Sequence, residues 1–218
     1  MLLAIAVLMT GCGERHTRVA STTYTVRAGD TLYSIAWRHG LDYRVLARWN
    51  NLPPDYRIAA GQVLYLVPRK STGTAPAQPA RPPASRYPPP PERPEAVDVW
   101  VWPAEGSWSV VQHSPTGSQG VLISGSVGAV VKAAARGKVV YTGSGLRGFG
   151  NLVIIKHTNV FLSAYGHNRA VNVKEGDEVA AGQPIAEMGL TPDQKPALYF
   201  EIRYNGQPVD PITYLPRR

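Results

Sequence analysis

The chain has 218 residues and a formal net charge of +8, with Lys and Arg outnumbering Asp and Glu 9 to 4 over residues 1–70 but only 11 to 9 over residues 97–218. That length suits one or two domains, and the single cysteine, Cys12, excludes an intramolecular disulfide or a cysteine metal cluster. Positive charge concentrated in the first third suits an anionic polymer or surface, and no nucleic-acid-binding motif accompanies it, so no nucleic-acid partner is expected.

Leu2, Leu3, Ile5, Val7 and Leu8 make a short apolar run, followed by Thr10-Gly11-Cys12. A bilayer span needs about 20 apolar residues, so this run cannot cross a membrane. It resembles the end of a bacterial lipoprotein signal, which makes Cys12 the expected lipidation site. No Lys or Arg precedes Cys12, and Met9 stands where such signals usually carry Leu; a start upstream of Met1 would account for both. Gly13 rather than Asp after the cysteine implies the outer membrane, and two or more acyl chains would give stable anchoring. Residues 1–22 therefore read as signal and tether.

Residues 23–68 read as a compact β-α-α-β unit. A strand is expected over residues 24–26. Asp30 or Thr31 can cap a helix carrying Leu32, Ile35 and Ala36 at helical spacing, ended by Gly40. A second helix covers residues 43–50, and a strand over residues 63–67 is closed by Pro68. Leu32, Ile35, Leu46 and Trp49 are the expected core. Y-x-V-x-x-G-D-T-L, W-N-N-L and G-Q-x-L in this order resemble the LysM domain, which binds N-acetylglucosamine-containing glycans such as peptidoglycan. The resemblance places a shallow glycan groove between Gly29-Asp30-Thr31-Leu32 and the loop from Leu52 to Ile58.

Residues 69–96 form a linker. Pro76, Pro79, Pro82, Pro83, Pro88, Pro89, Pro90, Pro91 and Pro94 lie among Ala, Ser and Thr. This composition cannot bury a core and favours an extended polyproline spacer, at about 3.1 Å per residue.

Residues 97–218 have β character. Strand-like runs occupy residues 130–133, 137–141, 152–155, 161–165 and 198–203. Glu175-Gly176-Asp177 and Ala181-Gly182-Gln183 read as hairpin turns. A mainly antiparallel sheet with no long helix is expected. G-K-V-V-Y from Gly137, Y-G-H from Tyr165, V-K-x-G-D-x-V from Val173, G-Q-x-I-A from Gly182 and F-E-I-R from Phe200 resemble the LytM domain, the fold of lysostaphin-type zinc endopeptidases.

Active members of that family hold zinc through H-x-G-x-D and the last His of H-x-H. Aligned on Gly120, the first two ligand positions are Ser118 and Leu122; aligned on Phe200-Glu201, the third is Tyr199 and the base-like His becomes Ala197. Zinc needs three N, O or S donors and an open position for water. Leucine offers no donor, and serine and neutral tyrosine are poor ones. No metal, no cofactor and no catalytic residue are therefore expected. His167 matches the histidine beside the zinc-bound water in active members; here it is expected to be a satisfied surface or groove histidine. His113 and His157 fall on no motif position, and Glu201 is expected to make a structural hydrogen bond. Leu, Ala and Tyr in place of ligands would make the old groove drier and better suited to an apolar partner. That makes Ser118, Leu122, His167, Ala197 and Tyr199 candidates for partner binding.

Lipoprotein signal, LysM, Pro-rich linker and degenerate LytM domain in this order resemble the NlpD-type lipoproteins, functional cousins of EnvC. The resemblance implies a non-catalytic activator of a periplasmic, zinc-dependent N-acetylmuramoyl-L-alanine amidase. Such an activator would bind peptidoglycan and sit on the periplasmic side of the outer membrane at the septum, where daughter cells separate. A passive peptidoglycan-binding tether and an active zinc endopeptidase remain as other readings.

Overall fold

The computed structural model describes residues 22–68, 97–111 and 120–218. Cys12, the linker, His113 and Ser118 lie outside these residues, as do the expectations attached to them.

The first unit has the expected order. β1 (Thr23–Thr25) pairs antiparallel with β2 (Val63–Tyr65), Tyr24 opposite Leu64. Between them lie α1 (Leu32–Arg38) and α2 (Tyr43–Trp49). Thr31, not Asp30, caps α1. Its hydroxyl accepts from Ser34 N–H while Ser34 Oγ accepts from Thr31 N–H, so two otherwise unpaired donors are satisfied reciprocally. Asp42 caps α2 by accepting from the N–H groups of Arg44 and Val45. Asn50 follows that helix and accepts from Tyr65 N–H at 2.7 Å, which ties α2 to β2. Leu32, Ile35 and Leu46 are buried as expected. Trp49 is not in the core: it is half-buried, and Trp37, on the face of α1 turned away from solvent, is the buried tryptophan.

The second unit contains β3 (Trp108–Val111), β4 (Gly120–Ser124), β5 (Val130–Lys132), β6 (Gly137–Gly143), β7 (Asn151–Lys156) and β8 (Phe161–Val171). It continues with β9 (Glu178–Val179), β10 (Pro184–Met188), β11 (Ala197–Tyr204) and β12 (Gln207–Val209). All pairings are antiparallel. The main path runs β3-β4-β11-β8-β7-β6-β9, with β12 on β11 and β10 between β8 and β5. No helix among the described residues exceeds 7 residues.

The two expected hairpins are turns but not hairpins. Asp177 N–H reaches Lys174 O at 3.1 Å and Gln183 N–H reaches Ala180 O at 3.1 Å, with Gly176 and Gly182 at φ 96° and 78°. The strands these turns join do not pair: β9 lies on β6, and β10 on β5 and β8. Local turn chemistry fixes the bend, not the partner. A tight hairpin sits instead at Asn205-Gly206, between β11 and β12, with φ 49° and 77°, the positive pair that a two-residue turn of matching twist requires.

Side chains alternate across this sheet. Val121, Ile123, Val153, Ile155, Tyr165, Leu198, Phe200 and Ile202 face one core. The other face presents Leu152, Ile154, Leu162, Ala164 and Tyr199, and these pack in one cluster with Leu32, Ile35, Trp37 and Leu46 of the first unit. The first unit is thus seated on the sheet, which is why β11 is buried on both faces over seven of its eight residues. Arg203 Nη1 donates to Trp37 O at 2.9 Å and its guanidinium stacks 3.7 Å from the centre of the Trp37 ring. Tyr43 donates to Asn159 O and Arg44 to Asn205 Oδ1. A Cβ added at Gly206 would lie 2.6 Å from the Asp42 backbone, so only glycine allows this approach. Trp37 Nε1 is buried with no hydrogen-bond partner among the described residues. A buried unsatisfied donor costs roughly 1–3 kcal/mol.

Candidate functional site

The residues expected at the former ligand positions lie where β4, β11 and β8 run side by side. Tyr199 stands in register with Leu122 on β4 and Gly166 on β8, and Ala197 with Ser124. Period-2 alternation puts Ala197, Tyr199, Glu201 and Arg203 on one face of β11. Leu122 is on the same side and half-buried, whereas Ala197, Tyr199 and His167 are buried. Four of the five candidate groove residues are therefore neighbours; Ser118 lies outside the described residues.

Tyr199 fills the space. A Cβ at Gly120 would come within 2.8 Å of its ring carbon Cζ and of its hydroxyl, and one at Gly166 within 3.1 Å of Phe149 O. Gly120 makes room for the phenol, and Gly166 for the Phe149 carbonyl. Its ring meets Phe149 edge-on at 5.2 Å and His167 at 6.1 Å. Its hydroxyl donates to Glu201 Oε2 at 2.5 Å, and Glu201 Oε1 accepts from Arg203 Nε at 2.6 Å. The Glu201–Arg203 pair is almost wholly buried. Charges in that position persist only when paired and hydrogen-bonded. A continuous relay therefore runs along β11 from Tyr199 to Trp37 of the first unit.

His167 adopts φ 62°, held by its N–H to Phe149 O at 2.7 Å and its carbonyl accepting from Gly189 N–H at 2.8 Å. Burial pushes its imidazole below the usual histidine range, so it is neutral near pH 7. Its backbone is satisfied, while among the described residues its ring nitrogens have no hydrogen-bond partner.

These side chains do not fit a zinc ion. Leu122 and Ala197 have no donor atom, and the Tyr199 hydroxyl is committed to Glu201. Among the described residues no three His, Cys, Asp or Glu side chains gather as a ligand set.

On the first unit, Gly29 is exposed at φ 80°, and Leu52 and Ile58 are half-buried. Leu32, a candidate glycan contact, is 1% exposed and belongs to the core, so it supports the groove without facing it. Asp30 is already engaged: it accepts from Tyr24 hydroxyl at 2.7 Å and Arg27 N–H at 2.9 Å, and pairs with Arg38 at 3.3 Å. Thr31 is engaged as the cap. Sequence reasoning missed Tyr33 of α1 and Tyr56 of the second loop, whose rings stand 6.2 Å apart, both against the Tyr43 ring of α2. An aromatic on the first turn of α1 and another in the loop was the available signal; half-buried rings offer an apolar face with a polar tip.

The sequence matches peptidase family M23 over residues 116–211 and the LysM domain over residues 24–67. It is 44% identical to the lipoprotein NlpD/LppB homolog of Pseudomonas aeruginosa, over 94% of this chain and 80% of that protein. The chain belongs to the NlpD/LppB lipoprotein family. Within reach of that family it is also 39% identical to the uncharacterized lipoprotein YgeR of Escherichia coli, over 99% of this chain and 91% of that one. It is 36% identical to the murein hydrolase activator NlpD of Escherichia coli, over 91% and 69% respectively. As an NlpD/LppB chain it carries a LysM domain followed by an antiparallel M23 domain. In the M23 domain, a buried tyrosine–glutamate–arginine relay runs along β11.

Proposed function

We propose that this chain is a non-catalytic activator of a periplasmic, zinc-dependent N-acetylmuramoyl-L-alanine amidase, held to peptidoglycan by its LysM domain. In this reading Cys12 carries the lipid and places the protein on the periplasmic side of the outer membrane, at the septum. The observation that carries it is Tyr199. The peptidase scaffold is kept around the site, while the side chain at the third ligand position seals it and spends its hydroxyl on Glu201. The relative named murein hydrolase activator supports the same reading.

An enzyme held in a closed state opens only if a partner binds the open state better, so the activator must offer differential binding energy. A groove walled by Leu122, Ala197, Tyr199 and His167 offers an apolar surface for a segment of the amidase. Since the LysM domain rests on the continuation of that face, the segment gains access fully when the LysM domain shifts. A passive tether is the second reading, and it needs no groove.

Leu122→Arg separates the two. Leu122 is half-buried, so the substitution puts a charge at the groove rim without emptying the core. Stimulation of the amidase is expected to fall at least about tenfold, a loss of roughly 1.4 kcal/mol of coupling, while retention on sacculi stays the same. Undiminished stimulation would move the contact away from this groove.

A further inference from the structure

Where the LysM domain meets the loop between β6 and β7, the two domains enclose an open cleft of about 300 Å³. Tyr24, Arg27 and Arg38 line it from the LysM side, Arg147 and Phe149 from the M23 side. Three guanidinium groups line it, and only one of them is paired with a carboxylate. Asp30 takes Arg38, at 3.3 Å, and Arg38 also donates to Gly145 O and the Tyr24 hydroxyl. Arg27 and Arg147 are exposed, and among the described residues no carboxylate pairs with either. The Arg27 guanidinium lies 5.9 Å from the centre of the Tyr24 ring. The cleft thus holds more positive charge than its own acid neutralises, above an apolar floor containing the buried Phe149.

We propose that this cleft binds a carboxylate of the short peptide that peptidoglycan carries beside its sugars. The inference rests on the reading of the LysM domain as a glycan binder. Two observations direct it. First, Asp30, the partner of Arg38, belongs to the loop assigned to the glycan, so the cleft begins where that site ends. A sugar held at Gly29 would deliver its attached peptide toward Arg27 and Arg147. Second, the charge is carried by arginine throughout, whose planar fork matches a carboxylate with two parallel hydrogen bonds. Since both domains supply the cleft, a peptide bound there favours the seated arrangement over the separated one, by the linkage that applies to any ligand of one state. Peptide-free glycan, engaging the LysM loops alone, has no such preference.

The test uses the full chain and two probes, a peptidoglycan-derived disaccharide–tetrapeptide oligomer and the same sugars without peptide, titrated calorimetrically. The peptide-bearing probe is expected to bind about tenfold more tightly, the scale of one charge-assisted hydrogen bond set. Arg147→Glu is expected to erase that advantage and leave affinity for the peptide-free probe unchanged. Arg147 is an exposed loop residue outside the glycan loops, so folding is not at issue. Arg27→Ala is expected to act in the same direction. Equal affinity for the two probes, or an advantage that survives Arg147→Glu, overturns the proposal. Failure of the chain to bind either probe removes the LysM reading itself, a separate outcome. If Arg147→Glu weakens binding to phosphatidylglycerol vesicles and not to the peptide-bearing probe, the anion is a lipid phosphate and the proposal falls.

Discussion

The Tyr199 hydroxyl, the Glu201 carboxylate and the Arg203 guanidinium stand at alternate positions of one strand, all buried. Each therefore depends on the others for satisfaction. Tyr199→Phe removes the donor to Glu201 and leaves a buried carboxylate with one partner fewer. A loss of about 1–3 kcal/mol is expected in denaturant unfolding, against almost none if the hydroxyl were wet. His157 gives a pH-dependent counterpart. It bonds to Arg136 O at 2.8 Å and Ser163 Oγ at 2.7 Å, and burial lowers its pKa to about 4. The unfolded chain binds that proton near pH 6.5, so between pH 6.5 and about 4 the unfolded state holds more protons and stability falls as pH falls. Part of the His157 surface remains exposed, which limits the effect to about 2 kcal/mol. Burial lowers His167 and His39 too, so both act in the same direction. His157→Gln, which keeps a donor and an acceptor, is expected to flatten the slope between pH 7 and 5; an unchanged slope would assign it elsewhere.

At the scale of elements, α1, α2, β1 and β2 were legible because their signals are local: Thr31 and Asp42 as caps, Gly40 as a stop, apolar spacing between them. Leu122, Ala197 and Tyr199 were legible as neighbours because strand alternation and the family motifs fix which side chains share a face. The turns at Gly176 and Gly182 were misread because a glycine turn says where a strand ends, not which strand it pairs with. Asn205-Gly206 carried the stronger hairpin signal and passed unnoticed. Choosing Trp49 over Trp37 for the core was a matter of helix face, and the face of α1 is set by the sheet beneath it. That seating had no local signal at all: Arg203 and Trp37 lie 166 residues apart in the chain. Gly206→Ala probes it directly. A Cβ there meets Asp42 backbone at 2.6 Å and must adopt φ 77°, costing about 1 kcal/mol in strain alone. The LysM domain is expected to leave the sheet, seen as a larger radius of gyration in solution scattering with β-sheet circular dichroism retained. An unchanged radius would mean the seat tolerates the methyl group.

Across the whole molecule, one face of one sheet links the functions. One part of it carries Leu122, Ala197 and Tyr199; another is the seat of the LysM domain; the β11 relay joins them. The seat is held by Tyr43 to Asn159 O, Arg44 to Asn205 Oδ1 and Arg203 to Trp37 O. Peptidoglycan held by the LysM domain and an amidase held by the groove would then communicate through that contact. The most direct test of the central claim is dye release from labelled sacculi by the full chain with added zinc, with and without a zinc amidase. Release above the rate of the amidase alone, and only when the amidase is present, is the predicted result. Release by the chain without amidase would show a working hydrolase and contradict the account.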